Sequence, residues 1–264
     1  MYKAIFIDID KTLLDGNGKV TPKTALAIEQ AKKHGIRIFL ISGRSRMFAI
    51  KFQEFSTRYM INSNGADIYD CEKKETLYQS AMEPKICEKL YEMAQKEDMV
   101  IKLDFGLARA VNKPEYLESY EIELTEKIDD FLRNNKVIQI AICDERLEKI
   151  ENLKKYIKET TTLEVINQFI WEVNGKVMNA IHITNTGVSK GNAMAGLCKF
   201  LKVDVKETVA IGDKINDISM IKMAGLGVAM GNATKDVKQI ADMVTSSNEE
   251  DGVAKVLEKI WEEK

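Results

Sequence analysis

The sequence predicts an α/β fold in which a doubly wound parallel sheet carries a smaller α+β domain as an insertion. Three segments, AIFID, IRIFLIS and TVAIGD, are apolar throughout and do not alternate with polar residues. Such runs are typical of parallel strands whose two faces are both covered by helices. Strand-like and helix-like segments alternate toward both ends of the chain, whereas the middle shows a different order of elements, which indicates the insertion.

The predicted core contains strands and helices that alternate along the chain. After the first strand, Thr21 and Pro22 provide a helix cap and a first-turn proline, and Gly35 ends that helix. The second strand follows, and then a predicted hairpin over residues 66–79. The third strand begins at Thr208. The last helix carries one apolar stripe, made of Val253, Val256, Leu257 and Ile260, which indicates that it lies on a core.

The middle of the chain has its own order of elements. A helix starts at Glu83 and Pro84, and the segments MVIKLDF, LARAVN, VIQIAICD, LEVINQFIWEV and AIHITNT are strand-like, with helical stretches between them. A unit of about 100 residues is large enough for its own core. We therefore expect residues 1–81 and 184–264 to form the core domain, and residues 82–183 to form the inserted α+β cap domain.

Composition narrows the possible partners. The chain has 264 residues, 45% of them hydrophobic, and a formal net charge of −2. Without a basic excess, nucleic acid is not expected as a partner, and no apolar run reaches the roughly 20 residues that a membrane helix needs. The four cysteines lie far apart and the first residues do not resemble a signal peptide. We expect a cytoplasmic protein, monomeric or homodimeric, that acts on a small molecule.

Acidic residues follow two of the predicted strands. Asp8 and Asp10 come at the end of the first strand, and Asp213 follows the third. Ligands of open α/β sheets bind beyond the carboxyl ends of the strands, so these acids should share one edge. Two carboxylates about 4 Å apart repel by roughly 4 kcal/mol at an effective dielectric of about 20. A proton or a cation must relieve that repulsion, and oxygen ligands with room for water and phosphate suit Mg²⁺.

Candidate anion-binding residues are predicted at the same edge. Ser42 and Gly43, in ISGRS, offer a hydroxyl and a backbone amide in a tight turn before a helix. Lys190, in VSKGNAM, lies in the first turn of a helix, where its ammonium can neutralise charge on a transferring phosphoryl group. Asn216 and Asp217, in GDKIND, begin a further helix. Together with the acids, these residues predict chemistry on a phosphate.

The segments DIDKT, SGR, SKG and GDKIND, in this order, resemble the four motifs of the haloacid dehalogenase (HAD) superfamily. The segment NSNGADIYD and the large insert between the second and third motifs resemble the Cof-type phosphatases of that superfamily. The resemblance covers the whole chain and implies a Rossmann-like core with an inserted cap. It also implies a Mg²⁺-dependent phosphatase that hydrolyses phosphomonoesters of small metabolites, with sugar phosphates or pyridoxal phosphate as the substrate class.

The resemblance implies a role for each matching residue. Asp8 would be the nucleophile that forms an aspartyl-phosphate, and Asp10 would be the acid and then the base, with its backbone carbonyl on Mg²⁺. Asp213 would be the other side-chain ligand of the metal, and Asp217 would orient a metal-bound water. The remaining residues would position Asp8 and the phosphoryl oxygens or hold phosphate: Thr12, Ser42, Gly43, Lys190 and Asn216.

One residue departs from the family pattern, and two other functions stay open. The family usually has glycine where this chain has Lys11, so we expect an ordinary backbone conformation there, with the side chain in solvent. The alternative is that Lys11 provides an extra cation near the leaving group, which would bias the choice of substrate. A phosphomutase, in which the aspartyl-phosphate meets an acceptor sugar before water, is one alternative. A phospho-accepting signalling module is another, although such modules are smaller and lack a cap. The sequence does not indicate which cap residues contact the substrate.

Overall fold

A computed structural model of the protein describes residues 2–173 and 175–262. Its strands are β1 (Ala4–Asp8), β2 (Arg37–Ile41), β3 (Tyr59–Asn62), β4 (Asp67–Asp70), β5 (Glu75–Gln79), β6 (Val100–Asp104), β7 (Arg109–Val111), β8 (Glu121–Glu123), β9 (Gln139–Asp144), β10 (Glu164–Val173), β11 (Lys176–Thr184), β12 (Thr208–Gly212), β13 (Leu226–Ala229) and β14 (Met243–Val244). Its α-helices are α1 (Pro22–Lys33), α2 (Arg46–Ala49), α3 (Pro84–Lys96), α4 (Ile128–Asn134), α5 (Leu147–Thr160), α6 (Lys190–Phe200), α7 (Ile218–Met223), α8 (Lys235–Ile240) and α9 (Gly252–Glu262).

The larger sheet has the strand order β14-β13-β12-β1-β2-β3-β4-β5. The strands from β14 to β3 run parallel, and β4 is antiparallel to β3. All five residues of β1 are buried, as the unbroken apolar run predicted. Both predicted ends of α1 are observed. The Thr21 side chain accepts a hydrogen bond from the Thr24 backbone amide at its start, and Gly35, just past its end, has a φ of 78°. The predicted doubly wound α/β class is confirmed.

The smaller sheet has the strand order β10-β11-β9-β6-β7-β8, and its neighbours are antiparallel except for β7 with β8. Alternate residues of its strands enter two separate apolar clusters. Ile101 and Ile142 belong to the cluster that includes residues of α3, α4 and α5. Val100 and Cys143 belong to the other cluster, with Tyr116. The predicted α+β character of the middle of the chain is therefore confirmed.

The chain divides into two compact units. The core unit comprises Met1–Gly43, Ala49–Leu77 and Ser189–Lys264, and the cap unit comprises Arg44–Phe48 and Tyr78–Val188. The predicted cap, residues 82–183, lies within the second of these, but its limits and its independence stay a prediction. No helix in the part of the chain that the structure describes is long and apolar enough to cross a membrane.

Candidate active site

The carboxyl ends of three neighbouring strands carry the first predicted site residues. β1 lies between β12 and β2 and is parallel to both. Asp8 is the last residue of β1, Ser42 directly follows β2, and Asp213 directly follows β12. All three residues are buried. The topology therefore brings residues from distant parts of the sequence to one edge of the core sheet, as the order of strands predicted.

Three carboxylates converge at this edge. Asp8, Asp213 and Asp217 each present an oxygen, and these oxygens all lie within 4.8 Å of one another. Asp217 reaches the group from the short helical turn that follows β12, and Gly212 makes room for it. A Cβ atom on Gly212 would lie 2.5 Å from the Asp217 carboxyl carbon. Close, buried carboxylates repel each other, so the arrangement requires a balancing positive charge.

Lys190 supplies part of that charge. It is the first residue of α6, whose N-cap Ser189 accepts a hydrogen bond from the Asn192 amide. Its side chain is completely buried, and its Nζ lies 2.5 Å from Asp8 Oδ1 and 2.5 Å from Asp217 Oδ1. Asp217 Oδ2 accepts hydrogen bonds from the Asp213 and Lys214 amides, over 2.9 and 3.0 Å. Asp217 is thus bound by protein donors on both oxygens and fixes the position of the ammonium group.

Burial and charge shift the ionisation of this cluster. Burial raises the pKa of Asp8 well above its ordinary value, Lys190 opposes that shift, and Asp217 and Asp213 add to it. Burial and then Asp217 raise the pKa of Asp213 to about 6. Burial alone would lower the pKa of Lys190, but Asp217 and Asp8 outweigh it and raise that pKa. Lys190 is therefore a permanent cation, whereas the acids need more positive charge to be fully ionised.

Thr12 and Asp10 lie in the loop after β1. Thr12 is buried and its hydroxyl donates to Asp213 Oδ1 over 3.5 Å. Asp10 is partly buried, and its charge contributes to the raised pKa of Asp8. Its carboxylate is not one of the three in the close group, where Asp217 stands instead.

The backbone conformation of Lys11 differs from the prediction. Lys11 does not have the ordinary conformation that we expected, because its φ of 61° and ψ of 15° lie in the left-handed region. That region favours glycine. The physical reason is a tertiary contact, since the side-chain amide of Asn232 donates to the Lys11 carbonyl over 2.8 Å. The Lys11 side chain is exposed, as expected.

The remaining predicted anion binders meet around Asn64. The backbone N–H of Asn64 donates to the Ser42 carbonyl over 2.9 Å. The Asn216 side chain donates to Asn64 Oδ1, also over 2.9 Å. A Cβ atom on Gly43 would lie 2.9 Å from Asn64 Oδ1. Ser42, Gly43 and Asn216 are therefore all in contact with Asn64.

The sequence did not predict the role of Asn232 or the direct contact between Lys190 and Asp217. Asn232 follows β13, whose carboxyl end lies beside that of β12. A polar residue just past a buried parallel strand was the available signal, and it is the same signal that identified Asp8 and Asp213. The resemblance gave Asp217 a role toward a water molecule, but nothing in the spacing of the motifs indicates that it would bind Lys190.

The donor set fits a hard divalent cation. Asp8, Asp213 and Asp217 carry three negative charges when ionised, and Lys190 returns one positive charge. Among the described residues, Asp213 has only a long hydrogen bond from Thr12 on its carboxylate, and Asp8 has only its contact with Lys190. Within the described residues, Asp8 Oδ2 and the Asp213 carboxylate therefore have no strong protein donor. Buried carboxylate oxygens of this kind are suited to Mg²⁺, with waters completing its shell.

Comparisons with known proteins place the chain in a family. A model of the haloacid dehalogenase-like hydrolases matches residues 5–257. A relative in Bacillus subtilis, 5-amino-6-(5-phospho-D-ribitylamino)uracil phosphatase YcsE, is 31% identical over 97% of this chain and 94% of its own. A solved haloacid dehalogenase-like hydrolase from B. subtilis is 25% identical, with a TM-score of 0.83 over 97% of this chain and 99% of its own. A solved sugar phosphatase of HAD subclass IIB is 25% identical, with a TM-score of 0.78 over 98% and 99% of the two chains.

These similarities agree with the fold and with the acidic site at the end of β1. The chain belongs to the haloacid dehalogenase-like hydrolase family. Within that family it is an enzyme of the phosphatase class. The resemblance seen in its four motifs is thereby confirmed.

Proposed function

We propose that the protein is a Mg²⁺-dependent phosphatase that hydrolyses phosphomonoesters of small metabolites through an aspartyl-phosphate on Asp8. The observation that supports this most is the buried cluster in which Lys190 contacts both Asp8 and Asp217, with the Asp213 carboxylate close to both acids. A carboxylate held at the end of a rigid strand, with a fixed cation beside it, is placed to attack a bound phosphoryl group.

In the first step, one oxygen of Asp8 attacks phosphorus and the bond from phosphorus to the ester oxygen breaks. Lys190 holds Asp8 in a fixed orientation and offsets the charge that develops on the phosphoryl oxygens. Because Asp217 binds Lys190 at the same time, the ammonium group stays in place when Asp8 moves toward phosphorus. Ser42, Gly43 and Asn216 donate hydrogen bonds to the phosphoryl oxygens, and Thr12 steadies Asp213.

Asp10 carries the proton in both steps. It gives a proton to the leaving oxygen in the first step and then takes one from the water that attacks the phosphorus of the aspartyl-phosphate. The bond between phosphorus and Asp8 breaks, inorganic phosphate leaves, and Asp8 returns to a carboxylate. One group can serve as acid and then as base because Asp10 loses its proton to the leaving oxygen in the first step and is therefore a carboxylate when water attacks.

Asp8, Asp213 and the backbone carbonyl of Asp10 would hold Mg²⁺. When bound, the ion supplies the positive charge that keeps Asp8 and Asp213 ionised and neutralises the phosphate. The raised pKa values of Asp8 and Asp213 support this proposal, because they indicate that the cluster needs more positive charge for both acids to be ionised.

The substrate is a small phosphorylated metabolite, and a sugar phosphate or pyridoxal phosphate is the proposed class. The sugar phosphatase among the structural neighbours supports the first of these, and the relative that acts on a phosphorylated ribityl compound supports a polyol phosphate more broadly. Residues 82–183 would act as a cap that closes over the substrate and excludes water.

The test is a panel of phosphorylated metabolites assayed for released phosphate with Mg²⁺ and with EDTA. We expect several substrates to be hydrolysed with Mg²⁺ and none with EDTA. In water labelled with oxygen-18, each released phosphate should carry one labelled oxygen, whereas a phosphomutase would transfer phosphate to a sugar without the label. The control variant is Asp236→Asn, which changes an exposed acid in α8 and should hydrolyse the same substrates as the wild type. Hydrolysis that is equal in EDTA, or a stable phosphoprotein without turnover, would contradict the proposal.

A further inference from the structure

The turn after β3 has an unusual backbone. Ser63, Asn64 and Gly65 have φ values of 50°, 57° and 105°, so three consecutive residues lie in the left-handed region. For residues other than glycine that region is sterically unfavourable, and it persists only where the surroundings determine the conformation. The turn is fully buried, and its side chains therefore need hydrogen-bond partners inside the protein.

The turn contacts three segments that carry proposed phosphate ligands. The backbone N–H of Asn64 donates to the Ser42 carbonyl, and the Asn64 side chain accepts a hydrogen bond from the Asn216 side chain. On the other side, a Cβ atom on Gly65 would lie 2.5 Å from the carbonyl oxygen of Ser189, the N-cap of the helix that begins with Lys190. The loop of Ser42, the amide of Asn216 and the first turn of α6 therefore pack around a single turn.

The hydrogen bonds define the orientation of the side-chain amides of Asn64 and Asn216. The Gly43 carbonyl can only accept, so it is the Nδ2 atom of Asn64 that points toward it, over a long 3.5 Å contact. Asn64 must then present its Oδ1 atom to Asn216, which donates from Nδ2 over 2.9 Å. This order leaves the second N–H of the Asn216 side chain for another acceptor. A flipped Asn216 would present an oxygen to Asn64 Oδ1 and would lose the bond.

We infer that Asn64 is a positioning residue of the phosphate site: it orients the Asn216 side chain so that an N–H faces a phosphate oxygen, and it fixes the Gly43 loop beside it. The inference rests on the proposed function for the identity of the ligand. Asn64 acts through Asn216 and Gly43 and does not itself touch the phosphate.

The test compares Asn64→Gly with Ser63→Gly. Glycine accepts the left-handed backbone at both positions, so each variant removes one buried side chain from the same turn and retains its conformation. We expect Asn64→Gly to raise the inhibition constant of inorganic phosphate and to lower kcat/KM by about tenfold. Ser63→Gly should change both by no more than about twofold, even if both variants lower the melting temperature.

A double-mutant cycle identifies the route of the effect. In an Asn216→Ala background, Asn64→Gly should weaken phosphate binding by no more than about threefold, because Asn216 is absent and only the long contact with the Gly43 carbonyl is lost. If the two losses multiply, Asn64 does not act through Asn216 and the inference is wrong. If Asn64→Gly does not fold, Asn64→Ala takes its place, because it also removes the oxygen that accepts from Asn216, and a wild-type inhibition constant in that variant overturns the inference.

Direct titration with inorganic phosphate separates this inference from the proposed function. If the wild-type protein binds phosphate but hydrolyses no phosphomonoester, the proposed function is wrong, and the titration of the Asn64 and Asn216 variants alone decides the role of Asn64. If the wild-type protein binds no phosphate, both are wrong.

Discussion

The side-chain amide of Asn232 donates a hydrogen bond to the backbone carbonyl of Lys11 over 2.8 Å, although the two residues are 221 positions apart. Asn232 in turn accepts a hydrogen bond from the Asn248 amide, and the Asn248 side chain donates to the Leu14 carbonyl. The two asparagines thus hold the loop after β1 at two points. That loop carries Asp10, so the C-terminal part of the core unit fixes the backbone of the proposed acid and base.

The left-handed backbone of Lys11 leads to a prediction on stability. We expect Lys11→Gly to raise the free energy of unfolding by about 1 kcal/mol, because the steric penalty of the lysine disappears and outweighs the greater freedom of the unfolded chain. Urea unfolding measures the change. Lys222→Gly, at an exposed position in α7, is the matched control and should lower stability by about 1 kcal/mol. A loss of stability in Lys11→Gly would contradict the prediction.

Replacement of the proposed nucleophile gives a second prediction. Asp8→Asn should lower kcat by about a thousandfold or more, because the amide is nearly isosteric but a poor nucleophile. The free energy of unfolding should stay the same or rise, since one charge leaves a cluster of buried carboxylates. Steady-state kinetics and urea unfolding on the same preparation measure both. Activity within about tenfold of the wild type would exclude Asp8 as the nucleophile.

Asp213 and Asp10 should respond differently to Mg²⁺. Asp213→Asn removes a ligand, so we expect the Mg²⁺ concentration for half-maximal activity to rise by about tenfold or more, with excess Mg²⁺ restoring part of kcat. Asp10→Asn removes the acid and base, so kcat should fall by about a hundredfold or more at saturating Mg²⁺. Activity assayed across a Mg²⁺ titration separates the two. Full rescue of Asp10→Asn by Mg²⁺, without rescue of Asp213→Asn, would reverse their roles.

The parts of the site that could be predicted are those set by strand order. Asp8, Ser42 and Asp213 follow buried parallel strands, and the ends of such strands meet at one edge regardless of how the helices pack. The bond between Lys190 and Asp217 depends on how the starts of two helices approach each other, and no local pattern encodes that approach. The conformation of Lys11 could not be predicted for a similar reason, since a hydrogen bond from Asn232 determines it against the local preference of lysine.

The last prediction concerns His182 in β11 of the cap unit. Its ring packs on Phe169 with 4.6 Å between ring centres. Burial, followed by the charges of Arg109 and Arg44, lowers the pKa of His182 to about 3. An unfolded chain binds a proton on histidine below a pH of about 6.5, whereas the folded protein binds it only near its lowered pKa. Between these values the unfolded state holds more protons, so stability must fall as the pH falls.

The size of the effect follows from linkage. Between a pH of about 7 and about 5, the His182 contribution should lower the free energy of unfolding by up to about 2 kcal/mol. His182→Asn removes the titrating group, and the variant should lose correspondingly less stability over that range. The fluorescence of Trp171 in a Trp261→Phe background reports on the cap unit during urea unfolding, because these are the two tryptophans of the chain. His34→Asn, which removes the exposed histidine of the core unit, is the control. Equal pH dependence in the wild type and His182→Asn would show that His182 is protonated as readily in the folded cap as in the unfolded chain.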